Sequence, residues 1–167
     1  MFTLENELLR VTVSTKGAEL QSITGKAFGI EYLWNGNPAF WAKKSPILFP
    51  IVGSLKNNSY SYQGKSYTLP RHGFARDMDF QVEKQSLKDI TFLLKSNSET
   101  KTNYPFDFEF RIKYQLQADE LSTEYQISNT GNGVLLFSVG GHPAFNLPLT
   151  AGTEFSDYYL KFDETEN

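Results

Sequence analysis

The sequence predicts an all-β fold, an antiparallel β-sandwich, and three observations carry that reading. Apolar and polar residues alternate with period two through most of the chain, as strands with one buried face require. Turn residues recur roughly every eight to twelve positions, the spacing of short sandwich strands. Bulky aromatics are abundant, with 14 Phe, 9 Tyr and 2 Trp, and these favour pleated, half-buried surfaces. The 167 residues, 40% apolar and 21% charged, are enough for one sizeable core and too few for two.

Taken in order, Leu9–Val13 alternates strictly and reads as a strand. Lys16 and Gly17 turn the chain into a second strand over Ala18–Ile23. Gly25 and Gly29 lead to a third over Ile30–Trp34, closed by Asn35, Gly36, Asn37 and Pro38. The only helical candidate is a turn within Pro38–Lys44. Residues 45–54 are apolar but interrupted by Pro46 and Pro50, so they predict an irregular buried segment or a broken edge strand. Tyr60–Tyr62 and Ser66–Leu69, joined through Gln63, Gly64 and Lys65, form a hairpin pattern.

Phe80–Lys84 and Ile90–Lys95 predict another strand pair. Phe106–Leu116 has the clearest alternation, apolar at every second position with mixed charges between, and Leu121–Ser128 repeats it. After the turn Asn129–Gly133, Val134–Val139 reads as a strand entering a glycine-rich loop. Tyr158–Phe162 reads as a last strand with no later segment to cover it, an edge that invites another chain. No repeat, linker or low-complexity tract divides the sequence. The expectation is one domain over residues 1–167, incomplete at its C-terminal end.

Composition removes several classes of function. A net charge of −3 without a basic block argues against a nucleic-acid surface. The absence of cysteine excludes disulfides and thiolate metal sites, and the two histidines lack metal-ligand spacing, so neither metal nor cofactor is expected. The first residues lack the blocks of a secretory signal, and no apolar run approaches the roughly 20 residues that span a bilayer. A cytoplasmic protein away from membranes is expected. Ser138 is outside a nucleophile elbow, neither a dinucleotide nor a phosphate loop occurs, and spacing singles out no glycosidase carboxylate pair.

What remains is imidazole chemistry. His142 lies in Gly140–Asn146 and His72 in Pro70–Asp77, both in loops of glycine, proline and aromatic residues after strand-like runs. Imidazole exchanges protons near neutral pH, so two in matched contexts point to a shared site; satisfied structural histidines are the alternative for each. Arg71 and Arg76 flank His72 and can hold hydroxyls or a phosphate through forked hydrogen bonds; for Arg76 an ion pair with Asp77 or Asp79 is the alternative.

The run from Gly17–Leu20 through Leu33, Trp34, Trp41, Pro46–Gly53, Tyr67–Leu69 and His72–Arg76 to Gly141–Asn146 resembles the aldose 1-epimerase (galactose mutarotase-like) family, and within it the LacX-type branch. The likeness covers essentially the whole chain. It implies part of a large β-sandwich (the galactose mutarotase-like supersandwich) with an open sugar cleft, and interconversion of α and β anomers of hexoses by ring opening. By motif, His142 would protonate the ring oxygen. His72 would orient hydroxyls and the developing charge, with Arg76 a substrate contact. Ser54 stands where family members often carry arginine. Relatives are nearly twice as long, and the half absent here carries their glutamate base and a sugar-binding aspartate. Glu154, Glu164 and Glu166 do not sit in that glutamate motif.

The resemblance therefore predicts a weakened isomerase acting on a hexose or hexose phosphate, with a non-catalytic carbohydrate-binding sandwich as the alternative. A remnant whose sole property is oligomerisation is a third possibility. Uncovered strand edges predict self-association.

Overall fold

The computed structural model describes residues 1–164. Two four-stranded antiparallel sheets face each other across an aromatic core. The first contains β1 (Phe2–Glu5), β2 (Leu9–Val13), β3 (Leu20–Gly25) and β4 (Ile30–Glu31), in that order. The second runs β11 (Glu120–Asn129), β10 (Phe108–Gln117), β9 (Asp89–Lys95), β8 (Gln81–Gln85). Two small ladders complete the fold: β5 (Ile47–Leu48) with β12 (Gly140–Gly141), and the hairpin β6 (Ser59–Tyr62) with β7 (Lys65–Thr68).

Alternation explains the sandwich. In β10, Phe108, Phe110, Ile112, Tyr114 and Leu116 are buried while the residues between them face outward. Leu4, Val11 and Val13 meet them from the first sheet, and Phe2 packs edge-on against Phe92 with ring centroids 6.0 Å apart. The Tyr114 hydroxyl, fully buried, donates to Ala18 O at 2.8 Å and stitches the sheets together. On the wet side Arg111 grips Glu83 with a forked pair and reaches Glu109 at 2.8 Å, the solvated mixed-charge face that alternation predicts.

Some expectations need correction. Val134–Val139 is not a strand: it is apolar at all but Ser138, yet only Gly140–Gly141 beyond it enters a ladder. Tyr158–Phe162 is irregular, with Tyr159 and Phe162 exposed. In both cases the strand-forming composition is present, but no neighbouring strand among the described residues supplies the ladder. The strand expected over Ile30–Trp34 shrinks to Ile30–Glu31. Its carboxylate explains this, because Glu31 Oε1 accepts from Ile23 N at 2.8 Å and Leu33 N at 2.9 Å, replacing ladder bonds.

The hairpin loop is shorter than expected: Gln63 (φ 49°) and Gly64 (φ 75°) alone turn the chain, the left-handed pair that matches strand twist. Pro38–Lys44 contains a single turn, with Trp41 N donating to Asn37 O at 2.9 Å. The one α-helix among the described residues, α1 (Ser98–Asn103), escapes periodicity because it is polar throughout. A capping box starts it: Asn97 Oδ1 accepts from Thr100 N and Thr100 Oγ1 accepts from Asn97 N, both at 2.9 Å. No helix among the described residues is long and apolar enough to cross a membrane.

Candidate functional site

The segment Ser45–Gly53, broken by its prolines, is the spine of the site. Its start is pinned by Glu19, a buried carboxylate whose Oε1 accepts from Lys44 N at 2.8 Å and Ser45 N at 3.0 Å. On one flank lies the His142 loop. Gly140 pairs with Leu48 and Gly141 with Ile47, and His142 N donates to Pro46 O at 3.1 Å. The loop is also held from the other side, where Trp34 N donates to Ala144 O at 2.9 Å and Asn146 N to Tyr32 O at 2.8 Å. Gly141 is closely approached: a Cβ there would sit 2.6 Å from the Tyr125 hydroxyl and push that side chain aside.

The opposite flank carries the His72 loop. Phe49 O accepts from both Phe74 N (3.0 Å) and Ala75 N (3.1 Å), and Gly73 bridges Phe49 in parallel. Gly73 has φ 70°, and a Cβ on it would fall 2.2 Å from Phe49 O, so no other residue fits. His72 itself has φ 69°, a left-handed conformation that costs a non-glycine residue about 1–3 kcal/mol. A reciprocal pair of bonds holds it there: His72 N donates to Gly53 O at 2.7 Å, and Gly53 N donates to His72 Nδ1 at 3.1 Å.

One segment thus presents both histidines. The imidazole centroids are 6.1 Å apart at an interplanar angle of 67°. His142 is exposed and His72 half-buried, so the pair opens to solvent. Trp41 lies against His142 with centroids 5.1 Å apart, and the Trp34 indole N–H fixes the Trp41 carbonyl at 2.8 Å.

The electrostatics separate the two rings. Because His72 Nδ1 accepts a backbone N–H, the neutral ring carries its proton on Nε2 and offers a donor to the site. Partial burial first, then the nearby charges of Arg71, Arg76 and His142, push its pKa below the ordinary histidine value. Both effects favour the neutral form of His72.

Arg76 sits in the 3₁₀ turn Ala75–Asp77. Its Nε is buried without a hydrogen-bond partner, and Asp77 Oδ2 lies 3.4 Å away, a loose ion pair. Arg71 is exposed. The structure brings His72, His142 and Trp41 together and places Arg76 close along the same loop. Trp41, Gly53 and Glu19 all lie within the family-like run of the sequence, but sequence reasoning gave none of them a part in building the site. No group of three or more His, Cys, Asp or Glu clusters among the described residues. Glu166 lies outside them.

A family model described as aldose 1-epimerase matches residues 1–167. The chain belongs to the aldose 1-epimerase family. Protein LacX (plasmid) of Lactococcus lactis subsp. lactis is 40% identical over 170 residues, covering 98% of this chain and 56% of that protein. Among solved structures, a galactose mutarotase related enzyme from Lactobacillus acidophilus is 46% identical with a TM-score of 0.91, over 93% of this chain and 52% of that one. A galactose mutarotase-like protein from Lactobacillus casei is 39% identical with a TM-score of 0.86, over 90% and 51%. The chain spans about half the length of the relatives it matches.

Proposed function

We propose that this chain carries the histidine half of an aldose 1-epimerase site and acts on the anomeric centre of a hexose or hexose phosphate. The observation that carries the reading is the 6.1 Å pairing of two imidazoles on one spine, open to solvent and walled by Trp41. In this reading His142 gives a proton to the ring oxygen as the C1 hydroxyl loses one, so the C1–O bond to the ring breaks and an open-chain aldehyde forms. Rotation about C1–C2 and closure, with the protons returned, yields the other anomer. His72, neutral with Nε2–H outward, donates to a sugar oxygen and stabilises charge developing there. Arg76 and Arg71 supply forked donors to hydroxyls or to a phosphate, and the Trp41 ring offers an apolar face to the sugar's C–H groups.

The base that takes the C1 proton is not assigned to this chain. Glu19 spends an oxygen on two backbone amides and Glu31 does the same. Lacking a placed base typically costs 10²–10⁴-fold in rate, so weak turnover is expected. Polarimetry of freshly dissolved α-galactose and α-glucose tests the reading: acceleration over buffer that His142→Gln abolishes supports it, and acceleration that survives the substitution refutes it.

A second reading, a non-catalytic carbohydrate-binding sandwich, draws support from the imidazoles having no carboxylate hydrogen-bonded to them among the described residues. Sugar-dependent shifts of the Trp41 indole resonance without faster mutarotation would select it. By itself the chain is expected to self-associate through its uncovered β11 edge, seen as sedimentation coefficients that rise with concentration.

A further inference from the structure

The outward face of the second sheet holds a polar cleft of about 470 Å³ that the histidine site does not use. Its floor is one cross-strand row: Lys84 of β8 pairs with Thr91 of β9, Thr91 with Lys113 of β10, and Lys113 with Glu124 of β11. Beside that row stand Glu83, Arg111 and Gln126. The register of β8 against β9 shifts between Val82 and Lys84, so the consecutive residues Glu83 and Lys84 both turn into the cleft. Thr91 lies at the centre of the row, only 9% exposed, and its hydroxyl has no hydrogen-bond partner among the described residues. A largely buried hydroxyl needs a partner, and what can reach Thr91 arrives through the cleft. Lys84, Lys113 and Glu124 form no ion pair among the described residues. Arg111, by contrast, is already fixed by its fork on Glu83 and its bond to Glu109.

We propose that this cleft is a second binding site, separate from the histidines, for a neutral polyhydroxyl ligand: a sugar of one or two rings. Three cations, Lys84, Lys113 and Arg111, face three carboxylates, Glu83, Asp89 and Glu124, so an ion gains no net attraction there. No aromatic or aliphatic side chain lines the cleft, so an apolar ligand finds no wall. What the cleft offers is donors and acceptors interleaved on neighbouring strands. A sugar matches that array because each hydroxyl both donates and accepts, and the volume lies within the roughly 300–1,000 Å³ of ordinary small-molecule sites. The two sites lie back to back. On the inward face of β10, Phe110 packs on Phe49 of the histidine-bearing segment with centroids 4.7 Å apart, while Arg111 and Lys113 face outward. The core therefore separates the cleft from the imidazoles, and the proposal does not depend on whether the histidine pair turns over sugar.

Amide NMR of the full chain, titrated with methyl α-galactoside and methyl α-glucoside, provides the test. These glycosides cannot open their rings, so binding is read apart from turnover. The expected result is saturable shifts at residues 83–84, 91, 111–113 and 124–126 that persist in His142→Gln. Thr91→Val keeps the branched shape and removes the hydroxyl. It should weaken binding at the cleft about fivefold or more and leave the shifts of residues 70–77 and 140–146 as in wild type. Gln126→Ala, at an exposed position, should weaken binding in the same direction and serves where Thr91→Val fails to fold. Inorganic phosphate and glycine, an ion and a zwitterion, should move the cleft amides less than the glycosides do at equal concentration. Absence of glycoside shifts from the cleft would overturn the proposal, and shifts confined to the histidine loops would do so while leaving the histidine reading intact. Cleft binding that survives both substitutions, or a larger response there to phosphate or glycine, would overturn it as well.

Discussion

His72 shows how much chemistry one backbone amide can set. With Gly53 N donating to Nδ1, protonating the ring would turn an acceptor into a second donor facing a donor. The depressed pKa has a definite sign in linkage. The unfolded chain binds a proton on this ring at a higher pH than the folded one, so stability should rise with pH from the folded pKa up to about 6.5 and be flat above. Urea unfolding of wild type and His72→Gln across that range should differ in slope below pH 6.5 and run parallel above it. NMR titration should place the His72 midpoint under 6.5 with the neutral proton on Nε2; a midpoint above that value would refute the assignment. Gly73 offers a sharper test. Gly73→Ala forces a Cβ against Phe49 O at φ 70° and should cost at least about 2 kcal/mol, lowering the denaturation midpoint and detaching the His72 loop from its spine.

At the scale of the element, β10 holds the sandwich together and its alternation can be tested residue by residue. Phe110 is fully buried and touches Phe49, Phe80 and Tyr125, so Phe110→Ala should cost about 3–5 kcal/mol. Tyr114→Phe keeps the packing and removes one hydroxyl, stranding the buried Ala18 carbonyl; about 1–3 kcal/mol is expected in urea melts. A loss near zero would mean that the inter-sheet hydrogen bond contributes nothing net. The β5 segment behaves differently. Its two ladder residues contribute little pairing, yet both histidine loops hang from it, so damage there should reduce sugar-dependent signals before it melts the sheets.

At the scale of the whole molecule, strands that alternate were legible and strands that depend on a distant neighbour were not. Phe108–Gln117 and Glu120–Asn129 carry their own pattern, and the turn between them is local. Val134–Val139 and Tyr158–Phe162 have equally strand-like compositions and form none, because a ladder needs a partner that composition does not specify. Helix α1 was invisible for the reverse reason, since its stability comes from a capping box and not from an apolar stripe. The two histidines were legible as a pair from their matched loops, and the family resemblance assigned them roles. Their distance, the tautomer of His72 and the wall made by Trp41 were not. Periodicity and turn residues act over a few positions, so the chain by itself determined an all-β sandwich with two imidazole loops. The convergence of those loops depends on Glu19, Pro46 and Phe49 meeting backbone groups far away in the chain. Such meetings exist only after the sheets have packed, and tertiary structure alone decided them.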